Sequence, residues 1–259
     1  RVKLLTADPE LLVGRSAYAL LWTTTPWTLP GNLAVCAGPE IEYVAVEDAA
    51  DGDIYILARA RLQSVYKDES QYRILKSYQG SDLYGWTYEP LLPYFASQPR
   101  AFRILNDPYV TTEDGTGLVH MAPAYGEDDF RVCRAEDIEL VDPLDADCRF
   151  TEQVPEYAGQ FVKDADKAII RRLKDEGKLV HQSTIVHSYP FCERTDTPLV
   201  YRAIDAWYVR VEDMRDELVA NNDRIHWVPE YVGDRRFGNW LKEAKDWNIS
   251  RNRYWGSCV

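Results

Sequence analysis

A chain of 259 residues with 46% hydrophobic and 28% charged residues has the length and composition of a soluble globular protein with one large or two modest domains. Its net charge of −12 argues against a generic nucleic-acid coat, because grip on a phosphate backbone rests on Lys and Arg. No apolar run approaches membrane-spanning length, and the five scattered cysteines and four separated histidines spell neither a disulfide framework nor a zinc site. Reduced thiols of a cytoplasmic protein are the expectation. The opening Arg1-Val2-Lys3-Leu4-Leu5 is too short for a signal peptide, and with no initiator methionine the sequence reads as a piece of something longer.

Up to about Gly159 the pattern is mainly β. Short apolar or alternating runs at 17–22, 33–35, 43–46, 54–57, 72–75, 102–105 and 118–121 predict strands, punctuated by Gly, Pro and Asp at a spacing that suits a barrel or sandwich. The first strand runs into Trp22-Thr23-Thr24-Thr25-Pro26-Trp27-Thr28. Proline fixes φ and cannot donate to a ladder, so an extended segment ends there in a turn lined with small hydroxyls, suited to holding a hydroxylated ligand or a water. Short helices are predicted at 58–66 and 126–135, the second with Glu127, Asp128 and Asp129 in its first turn, where the macrodipole favours anions.

The clearest helix is 164–176, with Ala165, Ala168, Ile169 and Leu173 on one face and Gly177 as its stop. Past His187 aromatics, Arg and Asp dominate, with helices predicted at 212–221 and 235–246, so a boundary is placed near Ser188. From Asp234 onward Arg235, Arg236, Lys242, Lys245, Arg251 and Arg253 face only Asp234, Glu243 and Asp246, a basic tail on an acidic body. The tail tryptophans (Trp207, Trp227, Trp240, Trp247, Trp255) read as core or docking surface rather than a base-stacking platform.

Chemistry concentrates in 114–130. A Gly115-Thr116-Gly117 turn feeds a strand ending in His120, and a Pro/Gly loop then leads to a helix start bearing Asp129. A strand-end histidine and a helix-start carboxylate can converge on one pocket, although spacing alone fits a satisfied core histidine and a first-turn charge equally well. Gly115-x-Gly117 lacks the longer glycine pattern and the Lys-Ser/Thr of a phosphate loop. No serine occupies a G-x-S-x-G elbow and no cysteine has a local histidine, so a covalent nucleophile is not indicated.

Two long motifs, Trp22 to Asn32 and Gly115 to Phe130, taken in that order, resemble the editing domain of isoleucyl-tRNA synthetase, the large insertion of a class I catalytic domain. The resemblance continues through His187-Ser-Tyr-Pro-Phe-Cys192, Asp205-Ala-Trp-Tyr208 and 247–256, covering essentially the whole chain. Relatives that edit for valine or leucine show Thr-Thr-Arg-Pro at the first motif; here Thr25 holds the arginine position and Trp27 follows the proline. The H-x-G-H and K-M-S-K-S signatures of amino-acid activation are absent from the sequence, and Thr195 stands where some relatives have a second cysteine of a metal knuckle, which argues against zinc.

The resemblance implies an α+β, mainly β fold: a β-barrel-like editing domain over residues 1–188 with flanking helices, and a short α/β segment over 189–259 returning toward a nucleotide-binding domain. It implies hydrolysis of valine mischarged onto tRNA(Ile), with Thr23, Thr24 and Thr25 holding the terminal adenosine and a water, and Asp129 pairing with the substrate ammonium. Trp27, Asn32, His120 and Ala122 would shape the substrate pocket, His120 admitting valine and obstructing isoleucine. Implied partners are the valine-bearing tRNA 3′ end and the remaining synthetase domains, with no membrane partner, for a cytoplasmic monomer. No cofactor or metal is expected here, ATP and Mg belonging to the catalytic domain. Two further readings are a tRNA-docking module inactive without the rest of the synthetase, and a small-molecule-binding β-barrel.

Overall fold

The computed structural model describes residues 1–184 and 188–251, so His187 of one resembling motif and residues 252–259, with Arg253, Trp255 and Cys258, lie outside the described residues. The chain divides into two compact units, Arg1–Ala203 and Ile204–Val259, farther along than the change of style at Ser188. Residues just before the division belong to the first unit, where Ala203 N–H donates to Ala124 O and Arg202 pairs with Asp142.

In the first unit, β1 (Val2–Lys3), α1 (Pro9–Leu12) and β2 (Ala17–Ala19) precede a 3₁₀ turn at Pro26–Gly31. Strands β3 (Ala34–Ala37), β4 (Glu42–Asp48) and β5 (Ile54–Ala58) follow, then the short α2 (Leu62–Val65) and β6 (Tyr72–Gln79). After them come β7 (Arg103–Asn106), β8 (Leu118–Met121), α3 (Glu127–Ala135) and α4 (Val162–Asp175). One five-stranded sheet has the order β1-β2-β5-β4-β6, with β2 and β5 parallel and its other pairs antiparallel. A three-stranded sheet has the order β7-β3-β8, β3 running parallel to β7 and antiparallel to β8. β3 and β5 are buried along their whole length, as continuous apolar strands covered on both faces must be.

The regular strands among the described residues do not by themselves show the closed barrel that was expected. They make two sheets, joined by isolated bridges at Leu4–Tyr88, Thr87–Arg103 and Trp22–Val119. The last of these fixes the site, because it ties the start of the threonine run to the strand that carries His120. The 58–66 helix begins as a 3₁₀ turn, Arg59–Arg61, before α2. On α4 the buried face is Val162, Ala165, Ile169 and Leu173, and Ala168 lies outside it, exposed.

In the second unit β9 (Tyr208–Val209) pairs antiparallel with β10 (Trp247–Asn248), and α5 (Arg215–Asn222) follows a 3₁₀ turn at Glu212–Met214. The helix expected over 235–246 is instead a π-helical turn, Val232–Phe237, running into α6 (Gly238–Lys242). Gly233 in this turn packs against Trp227, where a Cβ would fall 2.1 Å from the indole. Trp207, Trp240 and Trp247 are exposed rather than core. No helix among the described residues is long and apolar enough to cross a membrane.

Candidate active site

A cleft of about 260 Å³ opens in the first unit where the two sequence motifs meet. Thr23, Thr24, Thr25, His120, Ala122 and Asp129 all line it, so six of the expected residues are brought together. The remaining two, Trp27 and Asn32, are placed behind the lining.

The threonine wall is built by local hydrogen bonds. Thr25 N–H donates to Thr23 Oγ1 at 3.0 Å, a side-chain turn that competes with regular strand and ends β2's extension. Pro26 then opens the 3₁₀ turn at its first position, where a missing N–H costs nothing. Thr23 Oγ1 stands 3.3 Å from Thr25 Oγ1, and Thr25 Oγ1 stands 3.4 Å from Thr28 Oγ1, so the hydroxyls form a continuous polar strip. Thr24 is exposed.

The same turn rotates Trp27 out of the cleft. Its backbone N–H donates to Asp166 Oδ1 of α4 at 2.8 Å, and its ring is only 3% exposed, edge-on to Tyr125 at 4.9 Å. Trp27 therefore supports Tyr125, which lines the cleft and donates through its hydroxyl to Asp142 Oδ1 at 3.1 Å. Asn32 caps the turn and is buried with its amide nitrogen 2.8 Å from His120 Nδ1. Thr28 Oγ1 lies 2.9 Å from His120 Nε2. Both ring nitrogens are thus occupied, and His120 is 7% exposed. Burial pushes the imidazole down to about 4, so it is neutral at physiological pH.

Opposite stands Asp129. Its Oδ2 accepts the Ala122 N–H at 2.9 Å, and its second oxygen has no hydrogen-bond partner among the described residues. Burial raises this carboxyl to about 6, with the Ala122 N–H opposing the rise and the neighbouring Asp128 charge adding to it. Gly126 makes room for it, since a Cβ there would come within 2.9 Å of Asp129 Cγ and Oδ2.

The third wall is the Gly115–Gly117 loop. Gly115 and Gly117 adopt φ of +66° and +78°, and a Cβ on Gly117 would lie 2.4 Å from Ala58 Cβ. The loop is clamped from outside: Arg61 Nε donates to Gly115 O at 2.8 Å, Tyr43 OH to Gly117 O at 2.6 Å, and Thr116 Oγ1 to Leu20 O at 2.6 Å. Among the described residues no group of three His, Cys, Asp or Glu is placed to hold a metal ion.

The family model for class I tRNA synthetases (I, L, M and V) matches residues 13–259. The chain belongs to this family. Among its relatives, the cytoplasmic isoleucine–tRNA ligase of Mus musculus is 55% identical over 92% of the chain, and the isoleucine–tRNA ligase of Bdellovibrio bacteriovorus 54% identical over 92%. The chain spans 19% and 23% of those two relatives, so it corresponds to a fraction of their length. The solved structure of GlLeuRS-CP1 shares the fold with a TM-score of 0.51 at 18% identity, covering 73% of this chain and 98% of that one.

Within this synthetase-family fold, sequence reasoning did not single out Trp22, Thr28, Thr111, Asp114 and Tyr125 as site residues, yet all line the cleft. Thr28 was visible as a fourth hydroxyl of the run, and Asp114 as the acidic residue before the glycine turn. Nothing local marked Tyr88, whose hydroxyl donates to Asn32 Oδ1 at 2.8 Å across 56 residues.

Proposed function

We propose that this chain is the proofreading part of an isoleucine–tRNA ligase and hydrolyses valine from mischarged tRNA(Ile). The observation that carries the reading is the convergence of the hydroxyl strip, the neutral His120 and the half-buried, half-satisfied Asp129 on one cleft. One methylene in a synthetic site supplies roughly 1–3 kcal/mol of discrimination, isoleucine against valine being the general example of that limit, and a second, hydrolytic site is the remedy.

Asp129 supplies the carboxylate that a buried α-ammonium requires. With a pKa of about 6 it is ionised at neutral pH, and its free oxygen is available to the ammonium. Thr23, Thr24 and Thr25 hold the ribose hydroxyls of the terminal adenosine and a water. The water oxygen adds to the ester carbonyl carbon, the carbon–oxygen bond to ribose breaks, and the water proton ends on the ribose oxygen. Such an ester needs positioning more than covalent catalysis. His120 is held at both nitrogens, which suits a rigid wall that stops isoleucine rather than a proton shuttle. The partners on this reading are the valine-bearing 3′ end of tRNA(Ile) and the other domains of the ligase, with ATP and Mg serving the synthetic site elsewhere.

The test is deacylation of valyl-tRNA(Ile) by this chain at low and physiological salt, beside Asp129→Ala. Turnover abolished by the substitution is expected. Binding without turnover by the unsubstituted chain refutes the deacylase reading and leaves a tRNA-docking module.

A further inference from the structure

The hydrogen bonds around His120 have a direction that can be worked out atom by atom. Ala34 O can only accept, so the Asn32 side-chain atom 2.9 Å from it is the amide nitrogen. That nitrogen also lies 2.8 Å from His120 Nδ1, which must therefore accept. A neutral imidazole accepting at Nδ1 carries its proton on Nε2, and this N–H donates to Thr28 Oγ1 at 2.9 Å. The single Thr28 proton is then directed at Thr25 O, 2.9 Å away, in the cleft wall. At the other end Asn32 Oδ1 takes the proton of Tyr88, a phenol 1% exposed whose hydroxyl makes no other hydrogen bond among the described residues.

We propose that Tyr88 is a positioning residue for substrate selection: from the core it holds the Asn32 amide, which fixes His120 as its Nε2–H tautomer and thereby the wall of the cleft. The inference rests on the reading of His120 as the wall that excludes isoleucine. Burial of every member makes the chain of bonds matter, because an unpaired amide oxygen in a dry interior cannot turn to water. Removing the Tyr88 hydroxyl leaves Asn32 Oδ1 without its donor. Turning the amide over does not repair this, since Oδ1 would then oppose Ala34 O. The amide has no fully satisfied position left, and His120 loses a fixed neighbour.

Two measurements test this. Nitrogen-15 NMR of the imidazole, assigned by loss of its signals in His120→Ala, is expected to show the neutral Nε2–H tautomer in the unsubstituted chain. An Nδ1–H tautomer overturns the proposal, whatever the chain's activity or the folding of any variant. Tyr88→Phe is expected to lower the preference for valyl- over isoleucyl-tRNA roughly three- to tenfold, the worth of one neutral hydrogen bond. The same change in an Asn32→Ala background is expected to cost nothing further, because the effect passes through the amide. Unchanged selectivity in a folded Tyr88→Phe, or losses that simply add in the double variant, overturns it. A chain that deacylates neither substrate refutes the proposed function, and the tautomer measurement still decides the bonding.

Discussion

Replacing Asp129 by Asn should make the protein more stable and less active, and the size of the first effect follows from the structure. Burial lifts this carboxyl from an ordinary 3.8 to about 6, so at neutral pH the fold carries an ionised group in a site that favours the neutral one. At 1.36 kcal/mol per pH unit this corresponds to about 3 kcal/mol as an upper bound. Asp129 is half-buried rather than sealed, and solvent relaxation reduces the figure to roughly 1–2 kcal/mol. Asparagine is close in shape to the protonated acid and its Oδ1 can still accept the Ala122 N–H, so it removes the charge without removing the bond.

The sign fixes the pH window. Because the folded pKa is above the unfolded one, the cost is complete above about 6 and vanishes below 3.8. Thermal unfolding at pH 7.5 should therefore show Asp129→Asn melting about 3–6 °C above the parent, a gap that closes toward pH 4. Deacylation of valyl-tRNA should fall roughly 10- to 100-fold, the value of a hydrogen bond to a charged group. A variant that melts at or below the parent temperature at pH 7.5, or a gap that is the same at pH 4 and 7.5, refutes the claim that this carboxylate is held against its preference.

Further outcomes concern the same cleft. His120→Ala should open the wall and begin to hydrolyse correctly charged isoleucyl-tRNA; unchanged selectivity removes the gatekeeping role. Gly126→Ala should push the Asp129 carboxylate aside, raising KM for valyl-tRNA while the melting temperature shifts little, because the clash is with the end of a side chain. Gly117→Ala combines a left-handed φ with a 2.4 Å approach to Ala58 Cβ and should cost roughly 2–4 kcal/mol in denaturant unfolding. The KM for valyl-tRNA should rise as pH falls through about 6, where Asp129 takes up its proton. A flat profile between pH 5 and 8 counts against Asp129 as the ammonium partner.

The legibility of the fold followed the range of the forces involved. Apolar alternation located the buried strands, and β8 falls on the predicted 118–121. The first helix turns were read correctly where a glycine or acidic cluster marks them, as at α3. What failed were features decided by distant partners. The two-residue β9 and β10 are defined by pairing with each other across the segment that carries α5 and α6. The π-helical turn at Val232–Phe237 sets Gly233 against Trp227, a close approach that helical spacing does not mark. Ala168 fits the helical period but sits beyond the edge of the covered face.

The site shows the same division, and its chemistry explains why. The family resemblance implies Trp27 as a residue shaping the pocket, but the backbone bond to Asp166, 139 residues away, turns it to the back. Asn32 and Tyr88 act on His120 from behind, through bonds that no motif spacing encodes. One cause unites the two ionisable residues that sequence did find. Burial raises Asp129 and lowers His120, so the cleft works against a carboxylate and against an imidazolium alike. His120 yields to this and is neutral, its two nitrogens spent on Thr28 and Asn32. Asp129 does not yield at neutral pH, and its second oxygen has no hydrogen-bond partner among the described residues. A cation beside Asp129 offsets that cost, and on the proposed reading an α-ammonium carried on an ester supplies it where a neutral acyl group does not.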